Sequence, residues 1–210
     1  MLLLPLVLSA HPSAWNPGTA VGERQGRDPM QDASCRFCGL LAADWQEPFH
    51  LNGDHADDAP DNIAASCVLC HLSQHLDRPS IAQEAMLVWL PEMSQAALNV
   101  LACRIHLILH RHDEPPHMER RPQTDTPALR GAWSALTALQ ARTAAATTRL
   151  GTASPRDLGA ALLHLSPTAY VRRAELLAGV RLLPRGRYFR GGEDIYPQLL
   201  DSLPALPAGL

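Results

Sequence analysis

The chain has 210 residues, 46% of them hydrophobic and 19% charged, which is ordinary for a globular protein that can bury a core. All 18 basic residues are Arg and the formal net charge is -3, so no overall attraction to nucleic acid is expected. Five cysteines in a chain of this length argue against a Cys-dense secreted scaffold and favour a reducing, cytoplasmic compartment.

Residues 1–10 contain an apolar run that Pro5 interrupts. A signal peptide is one interpretation, but no Lys or Arg precedes the run, and a buried N-terminal strand is the favoured prediction. Residues 11–34 are rich in Pro, Gly and charge, which predicts irregular structure. No later stretch has the uninterrupted apolar length that crosses a bilayer, so no membrane insertion is predicted.

The second half of the chain carries repeated signals for helix starts. Glu84–Leu90 reads as a short strand or the start of a helix. Ser94 is a predicted N-cap for a helix that runs to about His112 along one apolar face. Further helices are predicted to begin at Thr126-Pro127, which would end near Gly151, and at Ser154-Pro155 and Ser166-Pro167. The prolines and glycines after Leu182 predict an extended tail.

The four cysteines of two C-x-x-C pairs give the most specific signal in the sequence. Cys35 and Cys38 form the first pair, Cys67 and Cys70 form the second, and 28 residues lie between the pairs. Each pair can bring two thiolates to one side of a tight turn, and two such turns complete a tetrahedron around Zn²⁺. Two disulfides or four free core thiols are the alternatives. The favoured prediction is a structural zinc ion that supplies folding energy and has no open coordination position.

The segment from about Cys35 to His75 resembles the core of HNH nucleases, a ββα-metal unit, in its zinc-stapled form. The residues that carry this resemblance are the two knuckles, the Phe49-His50 pair with the loop to Asn62, and the Cys70-His71 step. The resemblance implies that His50 is the general base, that Asn62 orients it, and that His71 on the last helix is a metal ligand. On this interpretation the protein is an active endonuclease that cleaves DNA with a divalent metal.

Phe49 departs from the HNH pattern, because the family has an acidic residue or His there to hold the catalytic ion. A phenyl ring offers no oxygen or nitrogen to a hard divalent cation. Without that ion, the transition state of phosphodiester cleavage loses its main electrostatic stabiliser. The sequence therefore predicts an HNH-like protein without catalytic residues, in which His71 would need Asp54 or His55 to hold a metal. The acidic loop around Asp54 also disfavours a phosphate backbone.

A longer resemblance covers most of the chain. Four segments together resemble the IcmJ/DotN family of type IVB secretion systems: the start from Pro5 to Trp15, the knuckle at Cys35, the segment Trp89–Gln95 and the tail Gly192–Pro197. The resemblance implies a non-catalytic, zinc-binding adaptor subunit in the cytoplasm, held at the inner-membrane face through its partners. Those partners would be the C-terminal segment of the coupling ATPase and other secretion-complex subunits.

The predicted fold class is α+β: a small zinc-stapled ββα core followed by a mostly helical C-terminal half. The predicted divisions are an HNH-like zinc-binding domain with its N-terminal strand and packing helix (1–112), a linker (113–126) and a helical region with an extended tail (127–210). A zinc-dependent DNA-binding module without catalysis is a third functional alternative.

Two further groups of residues give weaker signals, one for a second metal site and one for a basic patch. Cys103, His106 and His110 share a helix face, but His at helical spacing usually lies on a solvated face, which is the favoured interpretation. The segment Arg172–Arg190 holds six Arg, and solvation or an acidic segment of a protein partner is favoured over nucleic acid there.

Overall fold

The structure is a computed structural model that describes residues 3–10, 34–42, 45–117, 119–124 and 126–203. Its strands are β1 (Gln46–His50), β2 (Ile63–Cys67), β3 (Ala85–Trp89), β4 (Val180–Pro184), β5 (Phe189–Arg190) and β6 (Glu193–Asp194). Its helices are α1 (Val68–Leu72), α2 (Ile81–Glu84), α3 (Gln95–His110), α4 (Pro127–Ala141), α5 (Thr143–Leu150), α6 (Pro155–Leu163), α7 (Pro167–Val171), α8 (Arg173–Leu176) and α9 (Tyr196–Ser202). The α+β fold class is confirmed.

The first sheet is an antiparallel hairpin that leads directly into a helix. Strands β1 and β2 pair from Gln46 opposite Cys67 to His50 opposite Ile63, and α1 begins at the next residue, Val68. The order strand, strand, helix is therefore the order that the sequence predicted for this segment. The HNH-like identity of the unit stays a prediction.

The second sheet joins distant parts of the chain. Strand β3 pairs antiparallel with β4, from Ala85 opposite Pro184 to Trp89 opposite Val180. This pairing links the predicted zinc-binding region to the predicted helical region. The prediction of an extended tail after Leu182 was wrong, because this segment completes β4, forms the small β5–β6 hairpin and ends in helix α9.

Polar caps start four of the helices where the sequence predicted them. The hydroxyls of Ser94, Thr126, Ser154 and Ser166 each accept a hydrogen bond from a backbone N–H in the first turn. These bonds satisfy donors that a helix N-terminus leaves unpaired. The second long helix is interrupted at Arg142, so α4 and α5 replace one continuous helix, and Gly151 ends α5 in the left-handed conformation, as predicted.

The N-terminal segment is buried in part but is not a strand. Residues 3–10 run outside the sheets, and the prediction of a strand there was wrong. Leu4 N–H donates to the Arg36 carbonyl, and Ser9 N–H donates to the Ser73 carbonyl, so the segment lies across the first knuckle and the end of α1. The irregular structure predicted for residues 11–34, the motif around Trp15 and the last prolines of the tail lie almost entirely outside the described residues.

Two hydrophobic cores hold the fold together, and α3 contributes to both. The first core surrounds the four paired cysteines and includes Leu8, Phe37, Phe49, Leu72, Leu76, Leu107, Tyr188, Tyr196 and Leu200. The second core consists of Val88, Leu90, Leu98, Ala102, Ile105, Leu109, Leu129, Ala132, Leu136, Leu139 and Leu183. Among the described residues, no helix is both long enough and apolar enough to cross a membrane.

Candidate functional site

The four cysteines of the two C-x-x-C pairs meet in the first core. Their sulfur atoms all lie within 4.8 Å of one another, and the Sγ atoms of Cys38 and Cys67 are 3.7 Å apart. All five cysteines of the chain are free thiols, so the alternative of two disulfides was wrong. The predicted ligands Cys35, Cys38, Cys67 and Cys70 are thus brought together at metal-binding distance.

Local backbone geometry explains why the first pair forms a knuckle. Gly39 has φ +75°, a left-handed conformation that side chains disfavour, and its N–H donates to the Cys35 carbonyl. The Arg36 N–H donates to the Ala65 carbonyl, which attaches the knuckle to β2. At the second pair, Cys67 is the N-cap of α1, so the first turn of that helix places Cys70 on the same side.

The cysteine cluster fits Zn²⁺. A tetrahedral ion with Zn–S bonds of about 2.3 Å separates its sulfurs by about 3.8 Å, close to the 3.7 Å between Cys38 and Cys67. Hydrogen bonds from the other three thiols lower the pKa of Cys35, whereas hydrogen bonds with Cys35 and Cys38 raise the pKa of Cys67 and Cys70. Four thiols this close together, three of them buried, therefore do not ionise together unless a cation lies among them. The Asn99 amide also donates toward Cys70 Sγ at 3.4 Å.

The predicted base and its predicted orienting residue are engaged in different interactions. The His50 side chain is buried, and its Nε2 lies 3.1 Å from Asp58 Oδ1. The Asn62 amide accepts from Asn52 N–H and donates to the Asn52 side chain and the Asp57 carbonyl. Asn62 therefore braces the loop between β1 and β2. The catalytic roles that the HNH resemblance implies for these residues stay predictions.

His71 lies on α1, as predicted, and a partly buried carboxylate orients its ring. Glu47 Oε2 is 2.6 Å from His71 Nδ1, and Arg190 donates to Glu47 Oε1 at 2.7 Å. Burial raises the pKa of Glu47, but the hydrogen bond and charge of His71, together with Arg190, lower it to about 2. The carboxylate is thus ionised at neutral pH and holds the Nδ1 proton of the imidazole, which leaves Nε2 turned away from it.

Phe49 occupies the position for which the HNH resemblance predicts a metal ligand. Its side chain is buried, its ring centroid lies 4.5 Å from that of Phe37 in the first knuckle, and it lies 5.8 Å from that of His71. The position is thus apolar packing that connects the cysteine cluster with the helix. No donor atom from residue 49 is available to a cation beside His71.

Two further histidines, His55 and His75, approach His71. His55 lies on the loop between β1 and β2, and His75 follows α1. One ring nitrogen from each of the three lies within 4.8 Å of the other two. Burial, followed by the charges of His71 and His55, lowers the pKa of His75 well below its usual value, so its ring is neutral at physiological pH. The His-x-x-x-His spacing of residues 71 and 75 is the sequence signal for this cluster. Of the two loop residues predicted as possible partners of His71 at a metal, His55 is the one that lies beside it.

The second group of candidate ligands, on α3, forms part of the packing. Cys103 and His106 are buried, so the expectation of a solvated face was wrong. Helix α9 covers this face: His106 Nδ1 lies 2.9 Å from the Tyr196 hydroxyl, and His110 Nε2 lies 2.7 Å from Asp201 Oδ1.

The arginines between residues 172 and 190 have partners within the chain. Arg172 pairs with Glu175, Arg173 donates to the Ser9 hydroxyl, and Arg181 donates to the Met93 carbonyl. Arg185, Arg187 and Arg190 lie within ion-pair distance of Glu119, Asp194 and Glu47, respectively. Acidic side chains of the same chain therefore neutralise part of the positive charge of this segment.

The chain is similar to the type 4 apparatus protein DotN of Legionella pneumophila subsp. pneumophila. The two are 24% identical over 165 residues, which cover 75% of this chain and 69% of DotN. No protein-family profile matches the chain. The similarity supports the relationship to an IcmJ/DotN-like family that the sequence motifs predicted.

Proposed function

We propose that this protein is a component of a type IV secretion apparatus, in which it acts as a non-catalytic, zinc-binding adaptor. The observation that carries the proposal is the similarity to DotN across three-quarters of the chain. The aligned length is larger than the cysteine-containing segment alone, so the similarity extends beyond a shared metal-binding motif.

Zinc would have a structural role in this adaptor. Cys35, Cys38, Cys67 and Cys70 would hold it, and when bound it would supply folding energy and leave no open coordination position for substrate. The cysteines themselves connect the N-terminal segment, the β1–β2 hairpin and α1, and Asn99 extends the connection to α3. The result would be a rigid platform for protein partners.

The side chains of Phe49 and Asn62 and the negative charge of the β1–β2 loop support an adaptor without nuclease activity. Phe49 contributes a buried ring at the position where an HNH enzyme has a metal ligand. The Asn62 side-chain amide donates its hydrogen bonds within the β1–β2 loop and does not orient His50. Asp54, Asp57, Asp58 and Asp61 lie on the same loop and repel a phosphate backbone.

The partner that the family resemblance implies is the C-terminal segment of the coupling ATPase, alongside other subunits of the secretion complex. The protein would then act in the cytoplasm and reach the inner-membrane face through these partners. The arginines between residues 172 and 190 make hydrogen bonds and ion pairs within the chain. Their charges are therefore not lined up as a continuous groove for nucleic acid, which favours a protein partner at this surface.

A binding measurement tests the proposal. Purified, zinc-loaded protein is titrated with the C-terminal segment of the coupling ATPase from the same genome, and a defined complex is expected by calorimetry and size-exclusion chromatography. His50→Ala is expected to bind equally well, because His50 has no catalytic role in an adaptor. Failure of the folded, zinc-loaded protein to bind that segment would contradict the proposal.

A nicking assay separates the adaptor from the endonuclease alternative. Supercoiled plasmid is incubated with the protein and Mg²⁺ or Mn²⁺, and no nicking above the buffer control is expected. Nicking that disappears in His50→Ala but persists in the control His112→Ala, whose side chain is exposed, would establish the nuclease and overturn the adaptor.

A further inference from the structure

Three histidines converge at a point that is separate from the cysteine cluster. His55 comes from the loop between β1 and β2, His71 from α1, and His75 from the turn that follows α1. The Nε2 atoms of His71 and His75 are 3.0 Å apart, and one ring nitrogen from each of the three residues lies within 4.8 Å of the others. Imidazoles on a tetrahedral ion with metal–nitrogen bonds of about 2.1 Å would have nitrogens about 3.4 Å apart.

A carboxylate prepares one of these rings for a metal. Glu47 Oε2 lies 2.6 Å from His71 Nδ1, which fixes the proton on Nδ1 and points the Nε2 lone pair toward His75. A carboxylate that holds the far nitrogen of a ligand His is a recurrent feature of protein metal sites. Glu47 is itself held by Tyr188 and Arg190, at 3.1 and 2.7 Å, so its position does not depend on a bound ion.

We propose that His55, His71 and His75 form a second metal site, for a borderline divalent transition ion such as Zn²⁺ or Co²⁺, with Glu47 as the residue that positions His71. Three imidazoles select this class of ion over Mg²⁺ or Ca²⁺, which take oxygen ligands. The site contains His71, which the HNH resemblance implies as a metal ligand, and the new element is that His55 from the loop and His75 supply the donors that Phe49 does not. The inference rests on the geometry of the described residues and stands whether or not the protein acts in secretion.

The ion would attach the loop between β1 and β2 to α1. His55 is the loop's ligand, and the rest of the loop is braced by local side-chain hydrogen bonds such as those of Asn52 with Asp57 and Asn62. The His50 ring stacks on His55 with centroids 4.4 Å apart, so the loop ligand is already supported from the strand side. Bound metal would therefore slow the opening of this loop.

Metal titration of the full chain tests the site. Metal-free, reduced protein is titrated with Zn²⁺, and its metal content is measured after gel filtration. Two equivalents are expected for the wild type, one for each cluster, and one equivalent for His55→Ala. The control His112→Ala replaces an exposed histidine outside the cluster and is expected to bind two. Glu47→Gln is expected to weaken the second equivalent by about 10- to 100-fold.

Two readouts make the result specific. With Co²⁺, the first equivalent is expected to give thiolate charge-transfer absorption, and the second is expected to add only d–d bands, which disappear in His55→Ala. Protection of residues 51–62 from hydrogen exchange is expected to rise with the second equivalent. His55 lies on a loop, so its replacement leaves the cysteine cluster as a fold control: His55→Ala must still bind one equivalent with thiolate absorption.

One equivalent in the wild type would overturn the proposal and assign the three rings to hydrogen bonding and stacking alone. Two equivalents in both the wild type and His55→Ala would also overturn it, because the second ion would then lie elsewhere.

Discussion

The two hydrophobic cores of this protein are built on different physical principles. The first core holds the four clustered cysteines among its apolar side chains, and His71, whose ring Glu47 orients, lies against its member Phe49, so its folding depends on satisfying polar groups. The second core contains only aliphatic side chains among its buried members and packs α3 and α4 on β3 and β4. The first core is therefore expected to respond to metal and pH, and the second to changes in packing volume.

Loss of a cysteine is expected to have the largest effect. Cys67→Ser removes one of the four proposed zinc ligands. Structural zinc contributes on the order of 10 kcal/mol in small zinc domains, comparable to the whole stability of a typical domain, about 5–15 kcal/mol. Circular dichroism is expected to show an unfolded or partly folded protein at 25 °C with no zinc.

Cys103→Ser is the matched control, because Cys103 is also buried but lies outside the cluster. It is expected to retain zinc and to lose only about 0.5–3 kcal/mol of stability. Equal stability of Cys67→Ser and Cys103→Ser would remove the distinction between the two cores.

Truncation in the second core is expected to cost less and to be independent of metal. Leu136 on α4 is 2% exposed, and Leu136→Ala is expected to lower the free energy of unfolding by about 2–5 kcal/mol through lost burial and a cavity. Denaturant melts of the zinc-loaded protein measure this change.

Leu163→Ala is the control, since Leu163 on α6 is 40% exposed and its loss is expected to change stability by about 0.5 kcal/mol or less. Zinc content should stay at the wild-type value in both variants. A loss of zinc in Leu136→Ala would show that the two cores are coupled more tightly than their composition indicates.

His106 makes the boundary between the cores sensitive to pH. Burial lowers its pKa to about 3, with a smaller effect from His117, whereas an unfolded His has a pKa of about 6.5. Between pH 6.5 and pH 3, His106 is therefore protonated in the unfolded chain but stays neutral in the folded protein. The resulting stability is full above pH 6.5 and is lost as the pH falls toward 3, by about 2 kcal/mol between pH 7 and pH 5.

His106→Gln keeps a group that can hydrogen-bond to Tyr196 but does not titrate, so its stability is expected to fall less over this pH range. Urea melts at pH 7 and pH 5 provide the comparison. Parallel pH profiles for the wild type and His106→Gln would contradict the assignment.

The smallest effect is expected at the surface. Arg172 and Glu175 form an ion pair at 2.9 Å whose side chains are 64% and 68% exposed. Glu175→Gln is expected to change stability by about 0.5 kcal/mol or less and to show little salt dependence above 0.15 M, because water and ions screen such pairs. Thermal melts at low and high salt measure this, and a change above about 1 kcal/mol would mean that the pair supports the neighbouring N-terminal segment.

Local signals explain which elements could be predicted. The caps at Ser94, Thr126, Ser154 and Ser166 depend on one side chain and its next turn, so they could be read from adjacent residues. The knuckle cysteines could be predicted because C-x-x-C fixes two ligands within one turn. The strand predicted for residues 1–10 was wrong because an apolar run specifies burial, and only a neighbouring strand edge makes it a strand.

Long-range partners explain what could not be predicted. The sequence predicts an extended tail from Leu182 and misses the end of strand β4 and helix α9, because their structure depends on β3 and α3, about 90 residues earlier in the chain. Because helix α9 covers it only in the folded protein, the face of α3 that carries Cys103 and His106 is predicted from sequence to be solvated, although it is buried. The position of His55 beside His71 depends on how the loop between β1 and β2 folds back, which no local pattern specifies.

The sequence by itself determined the four thiols and their pairing into knuckles, the starts of the capped helices and the likeness to a secretion component, and it shows a phenyl ring at position 49, where the HNH resemblance predicts a metal ligand. Each of these depends on residue chemistry or on neighbours within a few positions. Only the tertiary structure decided that the tail completes a sheet and covers α3, and that three histidines from a loop, a helix and a turn meet at one point. These tertiary contacts join segments that are distant in the chain, and packing and burial across the whole fold stabilise them.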